Sequence, residues 1–537
     1  MTGHLPTVLQ VCRVLNMVGR EQFSIRRFSV AAIVAASIFL SSCSMLKEAS
    51  DSVVDTVKSV IDSIAAFLVD LRPVPQPELT GLFADADHFV SSDSMNVPLL
   101  MGNQLKEVNS SMLRRGLLSA DLRRYPKKVS GEFVQNSIRN QIQQAQQLAQ
   151  AGAVRDIGPL TKTRVSQYVD ECGIDTLGEV IDPKYVVITT RTAMNLLPAK
   201  DVWFPSNDVK YGNVFKVDTA APGEPAVILA TSASGRFCYV QTALSRGWIS
   251  SFDYAPTGRI QWLKAVDPED LAVVTDIRLK IKVNKKPYEF AMGDIILLDK
   301  AKSTVDELYG MFPRYENGRL EYVSERLPSS AVNLGYLPAS RANIVHQAYL
   351  FKGMSRSKNG DLEELYSNSL MFARAYRTAG IKLSSDVQEQ KRMISSKLQL
   401  MGYRSNEKLS IYNEVKPGDL LYFEGDVAMY LGITPDTGRA AKAISAYLYI
   451  GQFVNYVETR RDVHDHDKVD ATDLSYLVTY GGTAYRNVEF AASCLQELKM
   501  PNIRREPAVQ KNSVSDNDSS GGMNSSEGRS FIPKELK

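Results

Sequence analysis

The sequence predicts an α+β protein of several domains: a helical N-terminal segment, two small β-barrels and a C-terminal domain of mixed helix and strand. Three observations predict it. Apolar residues recur at helical spacing before residue 150, as in Val134, Ile138, Ile142, Ala145 and Leu148. Short runs rich in β-branched and aromatic residues follow one another from about 183 to 337 with no helix between them, which is the pattern of small barrels. Helical patterns then return at 341–352 and 365–379, and strands and loops follow (GDLLYFE, VAMYLGI, FVNYVETRR).

At 537 residues the chain has room for several domains. Its net charge of +3 is nearly balanced, and no basic run with interleaved aromatics appears, so nucleic acid is not an expected partner. The five cysteines, at 12, 43, 172, 238 and 494, form no CxxC pair and suggest neither a zinc site nor a disulfide framework. Cys238, in FCYV, reads as a small core residue.

The N-terminal residues read as an export signal. Arg20, Arg26 and Arg27 precede the apolar run FSVAAIVAASIFL, which falls short of the roughly 20 residues needed to span a bilayer and has the length of a signal core. The run ends in Leu40-Ser41-Ser42-Cys43, which resembles the lipobox of bacterial lipoproteins. That resemblance implies residues 1–43 as a signal peptide, diacylglycerol on the Cys43 thiol, and, with Ser44 next, an outer-membrane anchor facing the periplasm; the length of the segment before the apolar run leaves Met1 and Met17 as alternative starts.

Residues 44–77 read as a tether. Val53, Val57, Val60, Ile64, Phe67 and Leu71 alternate steps of four and three over 45–71, a stripe of about three heptads that packs on the body or self-associates. The segment RPVPQP ends it as a stiff linker. Residues 78–180 read as a helical domain whose Gln-rich face is solvated, with Gly152 as a helix stop. Two strand-rich units follow at 181–258 and 259–340, then an α+β domain at 341–500. The tail, 501–537, is too polar to build a core and is expected to be disordered.

Several motifs carry a family resemblance. RTAMNLLP, the turn from Ser232 to Gly235, and Gly247-Trp248 resemble the first bacterial SH3-like domain of NlpC-type peptidoglycan endopeptidases. GYLPASRANIVHQA resembles that family's junction between its second SH3-like domain and the catalytic domain. LYSNSLMFARAYRTAGIKLSSDVQEQ resembles the nucleophile helix and the loop after it, and VKPGDLLYFEGDVAMYLG the strand pair that carries the histidine. The resemblance spans about 80–500 and implies a clip domain, two SH3-like barrels and a papain-like α+β domain. The implied reaction is hydrolysis of the D-glutamyl-diamino acid bond of wall stem peptides, without a cofactor.

That chemistry needs a thiolate, a histidine and a polar third residue to orient it. The family's Asp-Cys-Ser falls on Ser367-Asn368-Ser369, so the nucleophile position is Asn368. Its Gly-His-Val falls on Gly425-Asp426-Val427, so the base position is Asp426. The third position falls within 440–446, where Ser445 is the nearest match. The loop before the nucleophile reads MSRSKNG and lacks the family's tryptophan. The resemblance therefore implies a family member without intact catalytic residues, binding peptidoglycan or an envelope protein; the alternative is an active endopeptidase with a rearranged site. Trp248, Ser367 and Ser369 are candidates for a ligand surface. In Asp462-Val463-His464-Asp465-His466-Asp467, a strand would put His464 and His466 on one face as metal ligands, but such charge-rich runs are usually solvated loops, so no metal site is predicted.

Overall fold

A computed structural model describes residues 85–501, leaving out 156–157, 206–212, 353, 355–366, 404–409, 424, 435–443, 451–468, 474–477, 480–481 and 484–487. Cys43, the stripe at 45–71, His464, His466 and the tail beyond 501 lie outside the described residues.

Among the described residues, three helices of more than one or two turns come first: α1 (Gly102–Arg115), α2 (Gly131–Gln150) and α3 (Lys162–Cys172). The apolar spacing read from the sequence explains α2. Ser130 caps it by accepting from Phe133 N at 3.4 Å, and Val134, Ile138, Ile142 and Ala145 are buried along one stripe. Beyond it Gly152 takes φ +84°, which a side chain would oppose. The expected single helical domain at 78–180 is divided, however. Met112 and Leu113 of α1 pack into the core of the C-terminal domain, whereas α2 and α3 pack on the first strand unit. Sequence periodicity shows which face of a helix is apolar but not which neighbour covers it.

The first strand unit comprises β1 (Lys184–Ile188), β2 (Thr192–Asn195), β3 (Lys216–Ala220), β4 (Pro225–Thr231), β5 (Phe237–Gln241), β6 (Arg246–Ser250) and β7 (Tyr254–Pro256). They form one antiparallel sheet in the order β7-β1-β4-β5-β6-β2-β3. Alternation divides its side chains. Val186, Ile188, Ala226, Ile228, Cys238, Val240 and Ile249 share one core, which confirms Cys238 as a core residue. Val227, Leu229, Tyr239 and Trp248 face the core built with α2 and α3.

Residues expected to begin the second strand unit are instead helical. The helix α4 (Arg259–Val266) packs with the first unit, where its Trp262 donates from Nε1 to the Ala226 carbonyl at 3.0 Å and lies 4.8 Å from the Tyr185 ring. The second unit starts at β8 (Leu271–Val274) and continues through β9 (Arg278–Val283), β10 (Lys286–Ala291), β11 (Ile295–Leu298), β12 (Tyr309–Glu316), β13 (Arg319–Arg326) and β14 (Val332–Leu334). Five strands pair in the order β13-β12-β11-β8-β14, and the β9-β10 hairpin packs Leu279, Val283, Tyr288 and Phe290 into the same core.

The C-terminal domain sets α5 (Arg341–Tyr349), α6 (Asn368–Thr378) and α7 (Val387–Met393) with a six-stranded antiparallel sheet. Its strands are β15 (Lys397–Gln399), β16 (Leu420–Phe423), β17 (Asp426–Thr434), β18 (Ile444–Ile450), β19 (Val469–Asp473) and β20 (Phe490–Ala492), in the order β15-β20-β16-β17-β18-β19. Leu420 and Tyr422 of β16 and Val427, Met429 and Leu431 of β17 face α6 in one core, as their alternation predicts. The chain enters β16 through Pro417 and Gly418, the latter at φ +89°.

Two carboxylates, one fully buried and one largely so, join these parts. Asp294 accepts from Arg191 Nη1 at 2.9 Å in the first strand unit and lies 3.8 Å from Arg374 Nη1 of α6. Glu389 of α7, fully buried, accepts from Leu117 N, Leu118 N, Ser119 N and Ser119 Oγ at 2.7–3.1 Å.

Candidate active site

The helix α6 begins where the family's nucleophile helix was expected. Ser367 caps it, its Oγ accepting from Leu370 N at 3.2 Å and its carbonyl from Met371 N at 2.9 Å. Asn368 is thus the first helical residue, with its side chain at the positive end of the helix dipole. Asp426 opens β17, which pairs with β16 from Phe423↔Asp426 onward. Packing of α6 on this strand pair brings the two residues together: Asn368 Nδ2 donates to Asp426 Oδ1 at 3.0 Å. The same oxygen accepts from Val427 N at 2.8 Å. Asn368 is buried and Asp426 half-buried.

Two positions 58 residues apart, assigned separately by motif order, are therefore direct partners. What the pair can do is limited by its chemistry. The amide nitrogen of Asn368 has a delocalised lone pair and serves as a donor, not as a nucleophile. Asp426 spends one oxygen on two N–H donors, a setting that holds a carboxylate in place; neither donor is an imidazole that could carry a proton.

Neighbouring hydroxyls are engaged as structural groups. Ser369 Oγ donates to the Ser385 carbonyl at 2.7 Å and lies 3.0 Å from Ser367 Oγ. Ser369 is buried, and only Ser367 of the two is exposed. Of the two described histidines, His346 faces Asp87 at 2.7 Å and His88 lies edge-on to Phe89. Burial pushes the Cys172 thiol up to about 12 and the Cys494 thiol higher still, so neither is a thiolate at neutral pH.

Behind the pair lies a buried polar network that the sequence reading passed over. Gln390 of α7 donates from Nε2 to the Ser369 and Ser384 carbonyls at 2.8 and 2.6 Å, and its Oε1 accepts from Tyr422 Oη at 3.0 Å. This segment was expected to be the loop after the nucleophile helix. A signal for the helix was present: Asp386 and Glu389 stand three apart, and Asp386 Oδ1 accepts from Glu389 N at 2.7 Å as a cap.

Two other expectations fail on geometry. Ser445 pairs with Ile433, seven residues along β17 from Asp426, or about 23 Å at the rise of a strand. It is too far to orient a group at that position, and counting residues between motifs missed this because strand register decides it. Trp248 is fully buried, 5.3 Å from the Tyr239 ring, so it is a packing residue and no part of an exposed ligand surface.

No protein-family model matches the chain, and no curated protein matches it in sequence. Among solved structures, an NlpC/P60 endopeptidase from Photobacterium damselae subsp. piscicida aligns with a TM-score of 0.59 at 12% identity, covering 77% of this chain and 97% of that one. An NlpC/P60 family protein from Bacillus cereus aligns with a TM-score of 0.37 at 15% identity, covering 58% of this chain and 100% of that one. The first of these likenesses establishes the architecture: the chain has the fold of an NlpC/P60 endopeptidase.

Proposed function

We propose that this protein is an envelope lipoprotein of the NlpC cell-wall peptidase family that binds peptidoglycan stem peptides, or an envelope protein at the same cleft, without cutting them. The observation that carries this reading is the Asn368–Asp426 hydrogen bond, an inert amide–carboxylate pair at the positions of nucleophile and base. In this reading the strand units at 184–256 and 271–334 are the family's two SH3-like domains and frame the cleft.

The test is incubation of the purified protein with a defined stem tetrapeptide, read by mass spectrometry for products and by calorimetry for binding. Saturable binding with no product is the expected result. Loss of either group of a nucleophile–base pair costs about 10⁶-fold in rate in the serine-protease case, so any cleavage should stay at background. Turnover that Ser369→Ala abolishes would overturn the reading and identify a serine nucleophile.

The anchor belongs to the same proposal. Cys43 is the mature N-terminus, diacylated and further acylated at its amine, since one chain gives only marginal anchoring. The protein then sits in the outer membrane facing the periplasm, with 45–71 as a tether able to self-associate. In cells, Cys43→Ala is expected to accumulate as unprocessed precursor; a mature soluble form would rule the anchor out.

A further inference from the structure

The opposite end of α6 borders a second site. Arg377 lies nine residues beyond Asn368, about 14 Å along the helix. There α6, α4 and both strand units meet around a cavity of about 110 Å³. Most of its wall is apolar, from residues such as Leu244, Val266 and Ile381, but four charged residues and a phenol line it: Glu224, Asp294, Lys382, Arg377 and Tyr336.

Asp294 is committed to Arg191; the other three charges are placed but not spent on each other. Glu224 Oε2 accepts from Ala221 N at 3.0 Å, and among the described residues no ion pair joins Glu224 to either cation. Lys382 is fixed through its backbone, N donating to Asn109 Oδ1 at 2.8 Å, while Asn109 Nδ2 donates to the Gly380 carbonyl at 2.8 Å. Its ammonium has no hydrogen-bond or ion-pair partner among the described residues. Arg377 donates from Nε to the Leu383 carbonyl at 3.0 Å, and its Nη2 is buried without a hydrogen-bond acceptor. Glu224, Arg377 and Lys382 are each half-buried, and charges held against an apolar wall are costly unless something neutralises them.

We infer that this cavity binds a small zwitterion, a free α-amino acid with a short apolar side chain. Its carboxylate meets Lys382 and Arg377, its ammonium meets Glu224, and its side chain meets the apolar wall. The space, about 110 Å³ and partly open to solvent, suits a ligand of a few heavy atoms. Neither an anion nor a cation alone satisfies both ends. The site is separate from the Asn368–Asp426 pair and does not depend on what that pair does.

The environment of Glu224 agrees. Burial pushes its carboxyl up to about 7, with Asp218 and Asp294 raising it further and Arg377 opposing them. Burial also holds Lys382 below the usual lysine range, with Arg123 adding to this and Asp267, Asp121 and Glu224 opposing it. A ligand ammonium needs the ionised carboxylate, so binding should strengthen as pH rises through about 7.

The experiment is calorimetric titration of the full purified protein with glycine, L-alanine and D-alanine, beside acetate, methylamine and the dipeptide alanyl-alanine. Saturable binding of at least one free amino acid is expected, with acetate and methylamine about 10- to 100-fold weaker. Glu224→Gln and Lys382→Met should each weaken it by a similar factor while thermal unfolding shows both still folded. If one variant does not fold, the other and the pH profile of the wild type decide. Absence of binding by every amino acid, or equal binding of acetate and alanine, overturns the proposal, as does tighter binding of the dipeptide than of alanine. Stem-peptide binding is read separately, so either reading can fail alone.

Discussion

Glu389→Ala should destabilise the protein by about 3–5 kcal/mol. The carboxylate is fully buried and accepts three backbone N–H groups and one hydroxyl from residues 117–119. The donors left behind each carry a desolvation cost, which is why the whole effect exceeds that of one lost hydrogen bond. The added Cβ of a Gly116→Ala change would run into the Ser119 hydroxyl and this same carboxylate. Urea denaturation reads the loss, and hydrogen exchange at Leu118 and Ser119 localises it. A change below about 1 kcal/mol would show that the cap is not a structural joint.

Asp294→Ala is expected to cost a similar 3–5 kcal/mol, for a different reason. Here the groups left behind are charged. The Arg191 and Arg374 side chains are 4% and 5% exposed, and Asp294 is the carboxylate they share across three parts of the molecule. Ala291 N also loses its acceptor at 2.8 Å. Asp294→Asn keeps the shape and most hydrogen bonds but removes the charge, so it should fall between wild type and alanine. Pairing each variant with Arg191→Ala in a double-mutant cycle isolates the coupling. Additivity within about 0.5 kcal/mol would mean that the junction does not rest on this pair.

Local pattern and tertiary assembly were legible to different degrees. The stripe of α2, the alternation of Val427, Met429 and Leu431, and the core role of Cys238 follow from side-chain period and residue type alone. The Asn368–Asp426 contact was legible as two motif positions and became a contact only once α6 packed on β17. Ser445 failed because strand register, which no count of intervening residues supplies, moved it along the sheet. Trp248 failed because a tryptophan on a strand reads the same whether its face meets solvent or a helix. The helix at 259–266 went unread because RIQWLKAV sits between strand runs and is short, and its burial is carried by Trp262.

The division of the N-terminal helices between two cores sets an order of events in folding. Residues 122–266 supply α2, α3, the first sheet and α4, and these can close on one another without the rest of the chain. The helix α1 cannot. The carboxylate that receives the chain after it lies 270–272 residues downstream. Docking α1 closes that long loop, a non-local step whose entropy cost falls after the local contacts have formed. The segment that comes first in the described body is thus among the last to be docked.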